Sequence, residues 1–206
     1  MTCGRNFSET LKSSCQTSGY RSRLKESGVV QMKVLIAYYS ETGNTERIAR
    51  AIYDEVSMKH NTDLKRVDEI TVDTLSDYDF VFLGSACHST DLASPVKRIL
   101  DAIPNSPKFK LAGFFTQATS SGGFNRWASR CISSFQETSK EKRIDFKGYY
   151  NCQGFPSPPI QEFIKRAIVT SPDAWKEYIK EVMKHPTLKD LQKAKEFATK
   201  ILEHAL

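Results

Sequence analysis

Hydrophobic residues in this chain alternate between short continuous runs and stripes with helical spacing. Three runs, Val34–Tyr39, Phe80–Leu83 and Leu111–Phe115, are almost entirely apolar. Strands of this kind are buried on both faces, as in a parallel sheet covered by helices. Two further segments, Asp63–Val67 and Ile144–Tyr150, are amphipathic and are predicted to be edge strands. In the second of them the alternating faces are Ile144, Phe146 and Tyr150 against Asp145, Lys147 and Tyr149.

Four amphipathic helices are predicted between and after these strands. Their apolar stripes, all expected in the core, are Ile48, Ala51, Ile52 and Val56; Val96, Ile99, Leu100 and Ile103; Phe124, Trp127, Ala128, Cys131, Ile132 and Phe135; and Leu188, Leu191, Ala194, Ala198, Ile201 and Leu202. Ser94 is predicted to cap the second helix, with Pro95 at its first position. An extra helical excursion, Phe163–Ile168 and Trp175–Met183, precedes the last helix.

These elements predict an α/β fold with one doubly wound parallel sheet. Parallel neighbours need right-handed crossovers, which the intervening helices provide. With strands one, three and four in the centre, the predicted order of the five strands is 2-1-3-4-5. In such a sheet the ligand crevice lies at the carboxyl ends of strands one and three, where the winding reverses.

Composition separates the chain into two parts. Residues 1–31 carry five basic and two acidic residues, half of the net charge of +6, and show little apolar periodicity. They are predicted to be a disordered or loosely attached extension before a domain at 32–206. The other charges are mixed along helical stretches, which argues against nucleic-acid binding. No apolar run is long enough to span a bilayer and residues 1–31 lack a signal-peptide core, so a cytoplasmic protein without membrane contact is expected.

Cysteines and histidines add little chemistry by their spacing alone. The five cysteines are Cys3, Cys15, Cys87, Cys131 and Cys152. They are odd in number and contain no Cys-x-x-Cys pair, which predicts reduced thiols rather than a disulfide framework or metal cluster. Three histidines are predicted to lie at the surface: His60, His185 and His204.

A loop rich in hydrogen-bond donors follows the first strand directly. It consists of Ser40, Glu41, Thr42, Gly43, Asn44 and Thr45 and leads into a helix. Gly43 permits a tight turn, and the free N–H groups of a helix start attract an anion. Because the loop has no Lys or Arg and lacks the P-loop and G-x-G-x-x-G patterns, it suits a phosphate monoester better than a triphosphate with magnesium. Simple helix capping would explain one hydroxyl but not four donors in six residues.

The segment Lys33–Val56, with its strand, Ser-x-Thr-Gly-Asn-Thr loop and helix, closely resembles the start of flavodoxins. The resemblance extends more weakly, in segment order, over residues 32–206. It implies that FMN is the cofactor and that residues 40–45 hold its phosphate, with Glu41 contributing through its backbone.

The resemblance also assigns the two loops that cradle the flavin ring. The first follows the third strand and includes Ser85, Ala86, Cys87 and His88. The second follows the fourth strand and includes Thr119, Ser120, Gly122 and Gly123. Positions 86–92 depart from electron-carrying flavodoxins because they contain no Phe, Tyr or Trp, and His88 is their only planar side chain. After the fifth strand, Cys152–Phe155 either contacts the ring or merely ends a loop.

Several functions fit these patterns. The leading expectation is an FMN-binding redox protein that transfers electrons to a partner protein or a small-molecule acceptor. A small FMN-dependent NAD(P)H reductase of quinone-like acceptors and a flavin-free interaction module are the alternatives. Cys87 beside His88 also suggests a nucleophile–base pair, although no orienting carboxylate is evident. The helical excursion could cover a sheet edge or form a homodimer surface.

Overall fold

The computed structural model describes residues 31–118 and 125–205, with the side chains of residues 125–127 left out. The strands are β1 (Lys33–Tyr38), β2 (Asn61–Arg66), β3 (Phe80–His88), β4 (Asp91–Leu92), β5 (Lys110–Gln117) and β6 (Asp145–Gln153). The helices are α1 (Asn44–Val56), α2 (Val72–Leu75), α3 (Ser94–Ala102), α4 (Asn125–Glu141), α5 (Pro158–Ala167), α6 (Pro172–Val182) and α7 (Leu188–Glu203). The extension predicted at residues 1–31 lies outside the described residues, apart from Gln31.

Five parallel strands form the sheet in the order β2-β1-β3-β5-β6. This is the predicted order 2-1-3-4-5, because β4 is a two-residue strand that only folds back antiparallel on the end of β3. The central strands are almost fully buried, whereas β2 and β6 are mostly half-buried. The predicted fold class is confirmed, and the carboxyl ends of β1, β3 and β5 meet at one edge of the sheet.

Helices cover both faces of the sheet. On one face, α1 and α7 pack over β1 through residues such as Ile48, Ile52 and Ala198. On the other face, α3 and α4 pack through residues such as Val96 and Phe135. The predicted stripes are buried or half-buried with one exception among the described side chains, since Leu188 is 83% exposed. Leu188 is the first residue of α7.

A β-bulge in β6 changes which side chains face each layer. Leu111 on β5 pairs with Phe146, but the next residue, Ala112, pairs with Gly148. The extra residue reverses the alternation, so Tyr149 lies on the same face as Phe146 and Tyr150 lies on the opposite one. The prediction that Phe146 and Tyr150 lie on the same face of the strand is therefore wrong. Side chains alternate between the two faces, and the extra residue of a bulge moves every later side chain to the other face.

Two local predictions also require correction. Helix α3 begins at Ser94 with Ala93 as its cap, one residue earlier than predicted. His60 is buried rather than on the surface, and its Nδ1 atom accepts a hydrogen bond from the backbone N–H of Met32 at 3.3 Å. Burial lowers the pKa of His60 below its usual value, which favours the neutral ring that accepts this bond. In the described residues no helix is long and apolar enough to cross a bilayer.

Candidate functional site

The loop between β1 and α1 presents the start of a helix to solvent at the switch point of the sheet. Gly43 is the N-cap residue of α1 and has a φ of 82°, a left-handed conformation that favours glycine. Apart from its chain neighbours and the backbone of α1, no atom in the described part of the chain lies within 4 Å of the position that a Cβ at Gly43 would occupy. Since glycine has no side chain to cap the helix, the first N–H groups of α1 are left to an outside acceptor.

Two side chains of this loop, Thr45 and Asn44, are held in place by hydrogen bonds. The Thr45 hydroxyl is fully buried and lies 2.8 Å from the hydroxyl of Thr116 at the end of β5. Asn44 Nδ2 donates to Thr42 Oγ1 at 2.8 Å and to the carbonyl of Phe155 at 2.7 Å. These two hydrogen bonds of Asn44 thus fix the shape of the loop. Thr42 is exposed, and together with Ser40 it lines the loop cavity.

The loop after β3 is a short hairpin built on Ser85 and Asp91. Ser85 is fully buried beneath the hairpin, where its Oγ atom accepts a hydrogen bond from the N–H of Ala93 at 2.9 Å. Asp91 accepts from Lys97 Nζ at 2.7 Å and from Ser134 Oγ at 2.6 Å. Burial alone would raise the pKa of Asp91, but these bonds outweigh it and hold that pKa below its usual value. The hairpin is therefore tied to both α3 and α4.

The first loop and the hairpin meet through a carboxylate. His88 Nε2 lies 3.1 Å from Glu41 Oε2, and Tyr39 donates its hydroxyl hydrogen to Glu41 Oε1 at 2.8 Å. The hydrogen bond to Glu41 raises the pKa of Tyr39. Glu41 is thus the carboxylate that orients His88, a partner that the spacing of the sequence did not reveal.

Strand β5 ends with Thr116 and Gln117, and the loop after it begins with Ala118. The carbonyl of Ala118 accepts hydrogen bonds from Tyr178 on α6 at 2.9 Å and from Gln153 Nε2 at 3.2 Å. Burial raises the pKa of Tyr178 to about 12, so it stays a neutral donor. The predicted ring-loop residues Thr119, Ser120, Gly122 and Gly123 lie outside the described residues.

Two adjoining cavities open between these loops. The loop cavity, of about 280 Å³, is lined by Ser40, Glu41, Thr42, Asn44, Thr45, Ala86, Cys87, His88, Ser89, Thr116, Gln117, Ala118, Gly154, Phe155, Pro156, Ser157, Pro159 and Ile160. The apolar cavity, of about 500 Å³, is lined by Cys87, Ser89, Thr90, Gln117, Ala118, Ile160, Phe163, Ile164 and Ile168. Two of the predicted site residues, Ser85 and Gly43, line neither cavity.

The segment after β6 lines the loop cavity with Gly154 and Phe155, two residues of the predicted portion Cys152–Phe155, and with further residues after them. Gly154 packs against Asn44, and Pro156 to Ile160 close one side of the loop cavity. Helix α5 then contributes Phe163 and Ile164 to the apolar cavity. Cys152 does not reach either cavity, because it is buried against the α1–α7 layer. The proline-rich turn at Pro156–Pro159 was the available signal, since it ends near the ligand edge of the sheet.

A family model for the flavodoxin domain matches residues 35–199. The chain belongs to the flavodoxin domain family.

Relatives of this flavodoxin cover nearly its whole domain. An uncharacterized protein of Methanocaldococcus jannaschii is 29% identical over 174 residues, which cover 84% of this chain and all of the relative. The flavodoxin-like domain-containing protein BilS of Clostridioides difficile is 30% identical over 181 residues, covering 83% of this chain and 97% of BilS. The oxidised flavodoxin 2 of Bacillus cereus has the same fold, with a TM-score of 0.58, 22% identity and coverage of 84% and 99%.

FMN is the cofactor of this flavodoxin, and the cavities fit it. The uncapped start of α1 suits a phosphate, and Ser40, Thr42 and Thr45 beside it line the loop cavity. Gln117 lines both cavities, and its buried Oε1 atom has no hydrogen-bond partner within the described part of the chain. A buried carbonyl oxygen without a partner is costly, and a polar ring edge would supply the missing donor. The protein is thus an FMN-type redox protein, which disfavours the flavin-free alternative.

Proposed function

We propose that this flavodoxin delivers electrons from FMN to a small, flat, apolar acceptor that binds in the apolar cavity. The observation that carries the proposal is the position of that cavity. It adjoins the loop cavity, and the residues that line both are Cys87, Ser89, Gln117, Ala118 and Ile160. Its remaining lining comes mostly from Phe163, Ile164 and Ile168 of the α5 segment, none of which carries a charge.

Each group of residues has a separate task in this proposal. Ser40, Thr42 and the N–H groups at the start of α1 bind the phosphate, and the residues from Ala86 to Ser89 with Gln117 hold the ring. When bound, FMN accepts and donates one or two electrons, which supplies the redox chemistry. Helix α5 orients the acceptor and keeps water away from one side of it.

The chain also places one proton-carrying group near the transfer. His88 lies at the loop cavity and is hydrogen-bonded to Glu41, which fixes the direction of its ring. A quinone-like acceptor takes up protons as it is reduced, and an imidazole is a common proton donor in such reactions. His88 is accordingly assigned as a proton donor that acts from the loop cavity next to the acceptor.

A second candidate is an electron carrier for a larger redox protein. Ile160 and Phe163 are 40% and 49% exposed and lie together at the rim of the apolar cavity. An apolar rim of this kind also suits transient contact with a partner protein. In this case the flavin ring itself would fill the apolar cavity.

Binding measurements with a Phe163→Ser variant separate the two candidates. We expect menadione to bind FMN-loaded protein as a ternary complex, measured by calorimetry. Loss of the Phe163 ring should weaken menadione binding about 5- to 30-fold, which corresponds to about 1–2 kcal/mol of apolar burial. FMN affinity, measured by quenching of flavin fluorescence, should stay within about two-fold because Phe163 does not line the loop cavity.

Leu188→Ser is the matched control, since Leu188 is an exposed apolar residue at the start of α7. It should change neither affinity. Two results would contradict the proposal: Phe163→Ser weakens the binding of both FMN and menadione, or menadione displaces FMN. In either case the flavin ring occupies the apolar cavity, and the electron-carrier candidate replaces the proposal.

A further inference from the structure

Cys87 and Cys131 form a thiol pair beside the cofactor site. Cys87 lies at the end of β3 and lines both cavities, whereas Cys131 lies on α4 and is fully buried. Cys87 packs against the buried cluster that contains Cys131, and a hydrogen bond between the two side chains is the main cause of the pKa shift of each. The sulfur of Cys131 is also 3.7 Å from the carbonyl of Thr90, on the hairpin that follows Cys87. The two thiols therefore contact each other between the hairpin and α4.

The surroundings distinguish the two sulfurs. The hydrogen bond from Cys131 lowers the pKa of Cys87, although burial and Asp91 oppose this effect. The same hydrogen bond and burial raise the pKa of Cys131. The thiolate is the nucleophilic form of cysteine, and here it is favoured at the sulfur that faces the cavity. Cys131, by contrast, is fully buried and lines neither cavity.

We propose that Cys87 and Cys131 are a dithiol–disulfide couple in which Cys87 reacts with small-molecule disulfides and Cys131 resolves the product. In the first step the Cys87 thiolate attacks a low-molecular-weight disulfide, forming a mixed disulfide and releasing one thiolate. In the second step Cys131 loses its proton and attacks the Cys87 sulfur, which releases the second thiol. The two cysteines are oxidised by two electrons and the external disulfide is reduced to two thiols, so the exchange balances.

The resolving step is compatible with the high pKa of free Cys131. The largest cause of that pKa is the hydrogen bond to Cys87. Once Cys87 is in a mixed disulfide it carries no negative charge, so the main opposition to ionising Cys131 is removed. A disulfide between these residues would link the ring-side hairpin directly to α4.

The exchange can be tested on the cofactor-free protein, which keeps it independent of the proposed acceptor. The full chain carrying Cys3→Ser and Cys15→Ser retains three thiols, at Cys87, Cys131 and Cys152. On treatment with glutathione disulfide we expect two of the three thiols to be lost, with a mass decrease of two hydrogens. Peptide mapping should find Cys87 linked to Cys131, and dithiothreitol should restore both thiols.

Replacement of the resolving cysteine should trap the intermediate. In the same background, Cys131→Ser and Cys131→Ala should accumulate one glutathione adduct on Cys87 instead of an internal disulfide. Cys152→Ser is the matched control, because Cys152 is also buried and its burial raises its pKa to about 12. It should behave like the parent protein.

Three results would overturn the proposal: retention of all three thiols, an adduct on the parent protein that never resolves, or a link that involves Cys152. If both Cys131 variants fail to fold, peptide mapping of the parent protein still decides between these outcomes. As a second readout, saturating FMN should slow the oxidation of Cys87 at least several-fold, because Cys87 lines the cofactor cavity. Flavin binding measured in parallel shows separately whether the cofactor site is intact.

Discussion

The imidazole of His88 and the carboxylate of Glu41 lie 3.1 Å apart, which connects the hairpin after β3 to the loop after β1. Glu41 is the one acidic residue in the loop of residues 40–45, the phosphate loop that we propose holds FMN. We expect Glu41→Gln to strengthen FMN binding about two- to five-fold at low ionic strength, because it removes repulsion between two negative groups near the protein surface. Flavin fluorescence titration measures this directly.

Salt provides the control for the Glu41 variant. Exposed charges are screened over about 8 Å at physiological ionic strength, so the gain should shrink as salt is added. A weaker affinity at every salt concentration would contradict the expectation. It would show instead that the contact with His88 shapes the cavity more than the charge of Glu41 opposes the phosphate.

Thr42→Val tests the phosphate loop. Thr42 is exposed, and it accepts a hydrogen bond from Asn44 while its own hydroxyl hydrogen is available to a phosphate. Loss of one hydrogen bond to a charged group costs about 1.5–3 kcal/mol, which corresponds to about a 10- to 150-fold weaker FMN affinity. Thr62→Val on the edge strand β2 is the control and should leave the affinity unchanged. If the two variants bind FMN with equal affinity, Thr42 does not contact the phosphate.

Two glycine substitutions should separate cofactor binding from stability. A Cβ at Gly154 would lie 3.0 Å from the side chain of Asn44, which bridges the phosphate loop and Phe155. Gly154→Ala is therefore expected to weaken FMN binding with a loss of about 1 kcal/mol in the free energy of unfolding. At Gly84 the Cβ would lie 2.1 Å from the ring of Phe114 in the core.

Gly84→Ala should accordingly destabilise the domain by about 3 kcal/mol or more, since a packed core cannot make room for the methyl group. Urea unfolding and flavin titration of both variants check the contrast. The expectation fails if Gly154→Ala is the more destabilising of the two, or if it binds FMN as tightly as the parent protein.

The hairpin after β3 should lose stability in acid through Asp91. The pKa of Asp91 is lowered in the folded protein, so its contribution is complete above the unfolded-state value of about 3.9 and is lost as the pH falls through the folded value. We expect Asp91→Asn to cost about 1–2 kcal/mol of unfolding free energy at pH 7. The difference from the parent protein should narrow below pH of about 4.

Denaturant unfolding at several pH values measures this dependence. Asp173→Asn on α6 is a suitable control, because Asp173 is highly exposed and its contact with Lys176 is long at 3.6 Å. The opposite outcome is a loss of unfolding free energy in Asp91→Asn that is the same at pH 7 and below pH 4. That result would contradict the expectation, because it would mean that the geometry of the hydrogen bonds stabilises the hairpin and the charge of Asp91 does not.

The fold was predictable because its signals are local and repeated. Continuous apolar strands and helical stripes determine the sheet order, and the β1 loop carries its chemistry in six consecutive residues. The errors occur where tertiary contacts override the local pattern. The bulge opposite Leu111 changes the faces of Tyr149 and Tyr150, and the backbone N–H of Met32 gives His60 a partner that allows it to be buried.

The cofactor site was predictable only in part for the same reason. The residues of the β1 and β3 loops follow buried strands, so their position at the sheet edge can be inferred from sequence. Contacts between residues far apart in the sequence cannot be inferred in this way. No local pattern indicates that the hydroxyl of Thr45 lies beside that of Thr116, or that Cys87 lies beside Cys131. The role of α5 also depends on where the chain turns after Gln153, which periodicity does not determine.

Helix α5 lies in one uninterrupted stretch between β6 and α7, and its Phe163 and Ile164, with Ile168 at its end, supply the part of the apolar cavity that neither strand loop provides. The phosphate loop and the hairpin, by contrast, are encoded before residue 93. Replacement of this one contiguous segment therefore changes the acceptor cavity while the phosphate loop and the hairpin stay the same. In an exchange of residues 158–182 between members of the family, the donor of the segment should dictate the acceptor and the recipient should keep its flavin.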